Sequence, residues 1–206
     1  ISDQKFELLP RPEGLKAELR SYQQAGYSWL YSLGKKNFGG CLADDMGLGK
    51  TLQTLALLLK LKSEEIETIQ TSIPAGQQLT LFDEPKNQKK ASLIIVPTSL
   101  VHNWHNEVKK FTPQLKVYRH TGTQRKKIAS INTIAEKYDI IITTYGTIRN
   151  DYEQLREITF NYIILDESQN IKNPGSKAYK SVLELKSNHK LVLTGTPIEN
   201  SLSDLW

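Results

Sequence analysis

The sequence predicts an α/β fold in which a mainly parallel β-sheet carries helices on both faces. Its strongest apolar runs show no alternation of apolar and polar residues, as expected for strands that are buried on both sides. Helical stretches separate most of these runs, and such interleaving is typical of a parallel sheet. The chain has 206 residues, of which 38% are hydrophobic and 24% charged, so it can bury one large core or two small ones.

The first predicted element is helical. Apolar residues recur at helical spacing between Leu15 and Leu33, which predicts one amphipathic helix or two short ones. A short buried strand is predicted in GGCLAD, residues 39–44, and a leucine-rich helix over residues 51–61. A glycine-rich loop joins these two elements, and the order strand, loop, helix is the context in which phosphate-binding loops occur.

The later elements follow an interruption. Residues 63–91 are polar, contain two prolines and show no sustained period, which predicts a long mobile insertion within the domain formed by residues 1–206. Beyond it, SLIIVP predicts a strand at residues 92–97, and a helix follows over residues 101–111. Further strands are predicted at residues 116–119, 139–144, 162–166 and 190–195.

Composition narrows the class of protein. The net charge of +5 is compatible with a polyanionic partner, although a modest surplus of lysine is usually a solvated surface. A single cysteine, Cys41, excludes an internal disulfide. The chain contains no apolar run long enough to span a membrane and no signal-peptide pattern, so we expect a cytoplasmic protein without a membrane partner. The chain starts at Ile1 and stops within an apolar pattern at Trp206, so we also expect a piece of a longer protein.

The segment DDMGLGKT ends like a phosphate-binding loop. The pattern G-x-x-x-x-G-K-[ST] is matched by Gly49, Lys50 and Thr51, whereas Asp44 stands where the first glycine belongs. In such loops the backbone N–H groups from about Gly47 onward hold the phosphates, the lysine reaches the β- and γ-phosphates, and the threonine hydroxyl ligates Mg²⁺. The first position mainly shapes the exit from the strand, so an aspartate there removes no phosphate donor. We therefore expect the loop to bind ATP and Mg²⁺.

The segment YIILDES predicts the second part of a nucleotide site. A buried strand delivers Asp166 and Glu167 at its carboxyl end, where ligands bind in open α/β sheets. Asp166 is expected to hold Mg²⁺ through water, and Glu167 to orient or deprotonate the attacking water. Alone, two acids that end a strand would be ordinary solvated charges. Together with a phosphate loop they predict ATP hydrolysis.

Several segments then resemble one family. DDMGLGKT, DESQ and LTGTP look like motifs I, II and III of helicase superfamily two. The acidic residue in place of the first Walker glycine resembles the SWI/SNF-type DNA translocases in particular, and so do LRSYQQAGYSWL, LIIVPTSLVHNWHNEVKKF, DIIITTYGTI, DESQNIKN and LTGTPIEN. The resemblance spans nearly the whole chain. It implies the N-terminal RecA-like lobe of a P-loop ATPase that moves along double-stranded DNA and displaces bound proteins such as RNA polymerase.

The resemblance also assigns roles around the nucleotide. Gln23 looks like the glutamine of the family's Q motif that reads adenine, and its amide offers both the donor and the acceptor that suit the adenine edge. Without the resemblance, a surface glutamine on a helix would be the ordinary interpretation. Gln169 replaces a histidine that links the γ-phosphate region to a partner lobe, and Thr194 and Thr196 match the pair that couples the nucleotide site to the DNA side. The predicted nucleotide-binding residues are Gln23, Gly47, Leu48, Gly49, Lys50, Thr51 and Gln169; the catalytic residues are Lys50, Asp166 and Glu167; the metal ligands are Thr51 and Asp166.

For DNA, the resemblance implies contacts from the loops that follow three strands. These loops carry the hydroxyls, backbone N–H groups and lysine that sequence-independent phosphate binding uses. A helix N-cap is the other interpretation of Thr98 and Ser99. The predicted DNA-binding residues are Pro97, Thr98, Ser99, Thr144, Tyr145, Gly146, Lys172 and Asn173.

One segment of the predicted insertion does not belong to the family core. QLTLF, Gln78–Phe82, resembles the peptide by which bacterial DNA-processing proteins dock on the replication sliding clamp. A chance apolar cluster that packs back on the domain is the other interpretation. The clamp-like peptide leads us to expect a bacterial, nucleoid-associated protein.

The family places half of the ATP cleft and the arginine fingers on a second lobe. Residues 1–206 alone are therefore expected to bind nucleotide weakly and to show negligible DNA-stimulated ATPase. Two other interpretations stay open: an RNA helicase of the same superfamily, and a non-catalytic interaction module with a decayed core. The forms DDMGLGKT and DESQNIKN favour DNA over RNA, and intact Lys50, Thr51, Asp166 and Glu167 argue against decay.

Overall fold

The computed structural model describes residues 6–45, 47–71, 90–123, 125, 131–168 and 175–195. Within them, the α-helices are α1 (Ser21–Lys35), α2 (Lys50–Thr71), α3 (Val101–Phe111), α4 (Ile131–Lys137), α5 (Tyr145–Leu155) and α6 (Lys177–Leu183). The strands are β1 (Gly40–Leu42), β2 (Ser92–Val96), β3 (Val117–His120), β4 (Ile140–Thr144), β5 (Thr159–Asp166) and β6 (Lys186–Leu193). A short 3₁₀ turn, Thr98–Leu100, joins β2 to α3.

The six strands form one sheet in the order β1-β6-β5-β2-β4-β3, and every pairing is parallel. Because parallel strands point the same way, all six carboxyl ends lie along one side of the sheet, which we call the carboxyl edge. The opposite side, where the strands begin, is the amino edge. The predicted α/β class with a parallel sheet is confirmed.

Helices cover both faces of the sheet. Helices α1, α2 and α3 pack on one face, with Tyr27, Leu55 and Trp104 in that core, while α4, α5 and α6 pack on the other face. Successive β2 residues supply the two cores in turn, Ile94 to the first and Ile95 to the second, and all five β2 residues are buried. Burial on both faces explains why the strands read as continuous apolar runs.

Some element boundaries differ from the predictions. Helix α3 has the predicted bounds, whereas α1 starts at Ser21 rather than near Leu15. Helix α2 continues to Thr71, so residues 63–71, which were predicted as part of a mobile insertion, are helical. Electrostatic partners support this extension, because Glu64 forms ion pairs with Lys60, one helical turn earlier, and with Lys35 of α1.

Helix α2 connects the two edges of the sheet. It begins beside the carboxyl end of β1, and in its middle Lys62 Nζ lies 3.0 Å from Asp139 Oδ1, immediately before β4. The segment Gln78–Phe82 lies outside the described residues. Among the helices that are described, none has the length and apolar character needed to cross a membrane.

Candidate active site

The carboxyl edge collects most of the predicted functional residues. The phosphate loop follows β1, Thr194 follows β6, Glu167 follows β5, and the segments that begin at Pro97 and Tyr145 follow β2 and β4. The strand order explains the grouping, since only β6 lies between β1 and β5. The predicted Gln169, Lys172, Asn173 and Thr196 lie outside the described residues.

The phosphate loop has an open, left-handed backbone at its glycines. Gly47 has φ 83° and Gly49 has φ 80°, a region that residues with a Cβ rarely adopt. Apart from Gly47 and its chain neighbours, no atom of the described residues lies within 4 Å of the position that a Cβ on Gly47 would occupy, so the backbone there is open to a ligand. Helix α2 begins at Lys50, and its first N–H groups and its dipole favour an anion at this point. The loop therefore fits a phosphate group.

Lys50 is held by its own loop. Its Nζ donates hydrogen bonds to the main-chain oxygens of Asp44, over 2.6 Å, and Asp45, over 3.1 Å. The ammonium group thus already lies on the loop that would cradle the phosphates. To reach phosphate oxygens, the Lys50 side chain would exchange these carbonyl acceptors for them. Thr51, the next residue of α2, is partly exposed.

The unusual Asp44 has a partner that the sequence did not indicate. Its Oδ2 accepts a hydrogen bond of 3.0 Å from Nε2 of Gln53, which is fully buried in α2. The bond ties the start of the phosphate loop to the helix that follows it. Nothing in the sequence indicated that Gln53 would bind Asp44, because it stands as a single amide on a predicted leucine-rich helix.

Gln23 touches the phosphate loop directly. The side chain is buried, its Nε2 donates to the main-chain oxygen of Leu48 over 3.1 Å, and its Oε1 accepts from the backbone N–H of Arg20 over 3.0 Å. The amide has a second N–H and a second lone pair besides these bonds. The adenine-reading role stays a prediction, and the structure adds a role in supporting the loop.

Asp166 is buried and held at three atoms. Only 7% of the residue is exposed, and Oδ2 accepts a hydrogen bond of 2.7 Å from the indole N–H of Trp104. Oδ1 accepts from the backbone N–H of Glu167, and the main-chain oxygen accepts from the Tyr145 hydroxyl over 2.8 Å. Burial raises the pKa of Asp166 above its ordinary value, the nearby Glu167 carboxylate adds to this rise, and the Trp104 hydrogen bond opposes it. The hydrogen bonds at both carboxylate oxygens fix this side chain in one orientation.

Glu167 adopts a strained backbone conformation. Its φ is 50°, which is uncommon for a residue with a side chain and costs on the order of 1 kcal/mol. Such strain is typical of functional positions. The conformation places this second carboxylate immediately after the buried Asp166, at the carboxyl edge.

Two predicted DNA-binding side chains lie inside the protein. Thr144 is buried and caps α5, because its Oγ1 accepts a hydrogen bond of 3.1 Å from the backbone N–H of Thr147. Tyr145 is also buried, its hydroxyl is bonded to Asp166, and burial raises its pKa strongly. Burial of these two side chains does not support DNA contacts through their hydroxyls, so DNA binding by this segment stays a prediction, and Gly146 is its exposed residue.

The segment after β2 presents its hydroxyls to solvent. Thr98 and Ser99 are exposed in the 3₁₀ turn, and Pro97 is partly exposed. Neither hydroxyl residue caps α3, because the N-cap position is Leu100 and no side chain caps it. The N-cap interpretation of these two residues is therefore wrong.

Thr194 lies where β6 meets β1. The residue is buried, and its backbone N–H donates to the main-chain oxygen of Leu42 over 3.2 Å. It thus packs beside the exit of β1 into the phosphate loop.

A metal site made by protein side chains alone is not found in the described part of the chain, which holds no group of three His, Cys, Asp or Glu side chains arranged to bind an ion. Magnesium is commonly held by one or two protein oxygens together with nucleotide phosphates. Thr51 and Asp166 fit that kind of site, so their role as Mg²⁺ ligands stays a prediction.

Similar proteins belong to one class. The family model described as the SNF2-related domain matches residues 22–206. The putative ATP-dependent helicase/translocase YwqA of Bacillus subtilis is 41% identical over 191 residues, which cover 93% of this chain and 18% of that protein. The TATA-binding protein-associated factor mot1 of Schizosaccharomyces pombe is 38% identical over 209 residues, which cover 100% of this chain and 10% of that protein. Relatives from a bacterium and a fungus thus match about equally well, and a bacterial source stays a prediction.

Solved structures agree with this class. The Sulfolobus solfataricus SWI2/SNF2 ATPase core in complex with dsDNA matches with a TM-score of 0.77 and 42% sequence identity. The match covers 98% of this chain and 36% of that chain, so this chain spans about a third of that core and less than a fifth of YwqA. The match over residues 22–206 shows that the chain belongs to the SNF2-related family.

Proposed function

We propose that this chain is the ATP-binding first lobe of a SWI/SNF-type translocase, which hydrolyses ATP to move along double-stranded DNA and to remodel or displace DNA-bound proteins. One observation carries the proposal: Leu42, Leu193 and Asp166 are direct neighbours across three parallel strands. At about 4.8 Å per strand, the exit to the phosphate loop and the acidic pair lie about 10 Å apart. This spacing suits groups that act on one bound triphosphate.

The residues of this edge would divide the work of hydrolysis. The backbone N–H groups of Gly47–Thr51 would bind the phosphates, and Lys50 would neutralise charge on the β- and γ-phosphates. Bound Mg²⁺–ATP supplies the phosphoanhydride bond that is hydrolysed. Asp166 and Thr51 would hold the metal, and Glu167 would orient the attacking water and accept its proton.

DNA would bind beside this edge. The exposed Thr98, Ser99 and Gly146 support the proposal, because hydroxyls and an unobstructed backbone suit phosphate contacts that ignore sequence. The solved SWI2/SNF2 core that matches this chain is in complex with dsDNA, which also supports it. Lys172 and Asn173 complete the proposed surface.

A second lobe would complete the enzyme. We propose that it supplies the arginine fingers, since such residues raise phosphoryl-transfer rates by roughly 10³ to 10⁵. Residues 1–206 alone would then bind nucleotide weakly and show negligible DNA-stimulated turnover. Robust turnover by the purified fragment would contradict this division of labour.

The wider setting is proposed from the sequence alone. The protein would act in the cytoplasm at the nucleoid, with RNA polymerase among the displaced proteins. The segment Gln78–Phe82 would dock on a sliding clamp. A synthetic peptide of residues 73–86 tests this docking, and the absence of micromolar binding to the host's clamp would remove the clamp from the proposal.

The decisive experiment measures ATP hydrolysis by the full-length protein with duplex DNA, with RNA and with neither. We expect duplex DNA to stimulate the wild type, and Lys50→Ala and Glu167→Gln each to abolish turnover. Glu167→Gln should still bind a fluorescent ADP analogue, because the phosphate loop is intact. Lys186→Ala is the control, since Lys186 is exposed and begins β6 at the amino edge.

Two results would favour the other functions. Stimulation by RNA instead of duplex DNA would indicate an RNA helicase. Normal biological function of the Lys50→Ala or Glu167→Gln protein would indicate a non-catalytic interaction module.

A further inference from the structure

We propose that Trp104 and Tyr145 are positioning residues that connect the Asp166 carboxylate to the two DNA-facing segments, so that DNA binding there acts on the nucleotide site through these two side chains. The inference rests on the proposed function and adds a route of regulation to it. It derives from two buried hydrogen bonds and from the places where their donors lie in the chain.

The first hydrogen bond comes from α3. Trp104 is 1% exposed, and its indole N–H lies 2.7 Å from Oδ2 of Asp166. An indole N–H can only donate a hydrogen bond, and when it is buried it usually has an acceptor. Because the acceptor is a carboxylate, the bond is of the stronger, charge-assisted kind. The Trp104 ring therefore fixes where this carboxylate oxygen lies.

The second hydrogen bond comes from α5. The Tyr145 hydroxyl donates over 2.8 Å to the main-chain oxygen of Asp166, at the last residue of β5. Tyr145 packs in the core formed by α4, α5 and α6, whereas Trp104 packs in the core on the opposite face. Asp166 is thus held from both faces of the sheet, its side chain by one helix and its backbone by another.

Each donor is close in sequence to an exposed residue of the proposed DNA surface. Trp104 lies one helical turn after the 3₁₀ turn that presents Thr98 and Ser99. Tyr145 is the first residue of α5 and immediately precedes Gly146. Both helices therefore begin at the DNA-facing side and place a donor on Asp166 within their first turn.

This arrangement allows a displacement of the start of α3 or α5 to be transmitted to Asp166. The donors and Asp166 are buried, and leaving a buried polar group without its partner costs about 1 to 3 kcal/mol. A shift of either helix start on DNA would therefore move Asp166 along with the donor instead of breaking the bond. Close packing of both cores leaves little room for a shift that bypasses these contacts.

The test uses the full-length protein with Trp104→Phe and Tyr145→Phe, which keep an aromatic ring and remove the donor. Tyr27→Phe is the matched control. Tyr27 is fully buried in α1, and its hydroxyl has no hydrogen-bond partner among the described residues. Three quantities are measured: ATPase rates with and without duplex DNA, duplex affinity by fluorescence anisotropy, and the Mg²⁺ concentration that half-saturates binding of a fluorescent ADP analogue.

We expect the ratio of DNA-stimulated to basal ATPase to fall about tenfold in both variants, while the duplex dissociation constant changes less than twofold. In Trp104→Phe, the half-saturating Mg²⁺ concentration should rise at least threefold, because the carboxylate loses its fixed orientation. Tyr27→Phe should change none of the three quantities. Circular dichroism checks folding, and if Trp104→Phe is unfolded, Tyr145→Phe alone decides.

The inference is overturned if the folded variants keep the wild-type ratio of DNA-stimulated to basal ATPase. A fall in thermal stability with that ratio unchanged also overturns it. It is also overturned if basal and stimulated rates fall by the same factor, because the two hydrogen bonds would then serve hydrolysis alone. Wild-type protein without any DNA stimulation would overturn the proposed function itself, which is a separate and recognisable result.

Discussion

The buried amide of Gln53 donates a hydrogen bond of 3.0 Å to the carboxylate of Asp44, at the start of the phosphate loop. Asp44 precedes Lys50 in the sequence and Gln53 follows it. The Lys50 ammonium group donates a hydrogen bond to the main-chain oxygen of Asp44. Asp44 therefore receives hydrogen bonds at both its side chain and its backbone. An aspartate can replace the usual glycine here because its charge has a partner within the domain.

A double-mutant cycle measures this bond. Asp44→Ala and Gln53→Ala should each destabilise the protein, and the double variant should be less destabilised than the sum, with a coupling energy of about 1 to 2 kcal/mol. Urea denaturation of the four proteins gives these values. The conservative Asp44→Asn keeps an acceptor and should lose less stability than Asp44→Ala. A coupling energy near zero would show that the two side chains do not support each other.

The two loop glycines should respond differently to alanine. Both have positive φ, so each substitution introduces backbone strain of about 1 kcal/mol. A Cβ on Gly49 would also collide with the Gln23 amide, whereas one on Gly47 would meet no atom within 4 Å from the described residues beyond its chain neighbours. We expect Gly49→Ala to be less stable than Gly47→Ala by about 1 kcal/mol or more in chemical denaturation. Equal stability of the two variants would contradict the close contact with Gln23.

Acidification should destabilise the protein through two histidines, the buried His120 and the partly buried His189. Burial lowers the pKa of His120, although Asp151 opposes the shift, and burial also lowers the pKa of His189. Below the ordinary histidine pKa of about 6.5, the unfolded chain therefore binds protons that the folded protein does not, and stability falls as the pH falls.

The free energy of unfolding should accordingly be lower at about pH 5.5 than at about pH 7.5. His189 stacks on Tyr162 with ring centroids 4.7 Å apart, so His189→Phe keeps the stacking and removes the titration. This variant should show a smaller pH effect in urea denaturation. An identical fall in the variant and the wild type would exclude His189 as a contributor.

Asp151 should be a strong determinant of stability. This buried carboxylate lies 2.8 Å from the Nε2 atom of His120 and also accepts a hydrogen bond of 2.8 Å from Nη2 of Arg125. Removing it leaves two polar partners without their acceptor, so Asp151→Ala should destabilise by about 3 kcal/mol. Glu153→Ala, on the same helix, removes an exposed ion pair with Arg156 and should have no measurable effect. Similar losses in both variants would contradict the special position of Asp151.

The sequence predicted the fold class and the composition of the carboxyl edge well, for a physical reason. Local chemistry encodes both features. Residues 92–96 form a strand because a continuous apolar run can be satisfied only by burial on both faces. Gly49 and Lys50 identify the phosphate loop because few other arrangements suit a polyphosphate. Helix α3 was predicted with its observed bounds, Val101–Phe111.

The contacts that hold the site could not be predicted in this way. The sequence assigned no role to Trp104 within the predicted helix, because the acceptor that its indole N–H meets depends on the packing of α3 against β5. Thr144 and Tyr145 matched a DNA-contact motif, yet the start of α5 turns both side chains inward. The length of α2 was underestimated because polar residues 63–71 show no apolar period, and their helix is supported by ion pairs to other residues.

Helix α2, with 22 residues, is about 33 Å long. The Lys62–Asp139 ion pair, about 18 Å from its start, holds the middle of the helix near the amino edge, and Lys90 comes shortly before β2 at the same edge. The interval between Thr71 and Lys90 is therefore attached to the domain on the side remote from hydrolysis. Outside the proposed clamp-docking segment Gln78–Phe82, that interval is a suitable site for a fluorescent label, an affinity peptide or a fused domain. Such an addition would be attached away from the phosphate loop and from the proposed DNA surface.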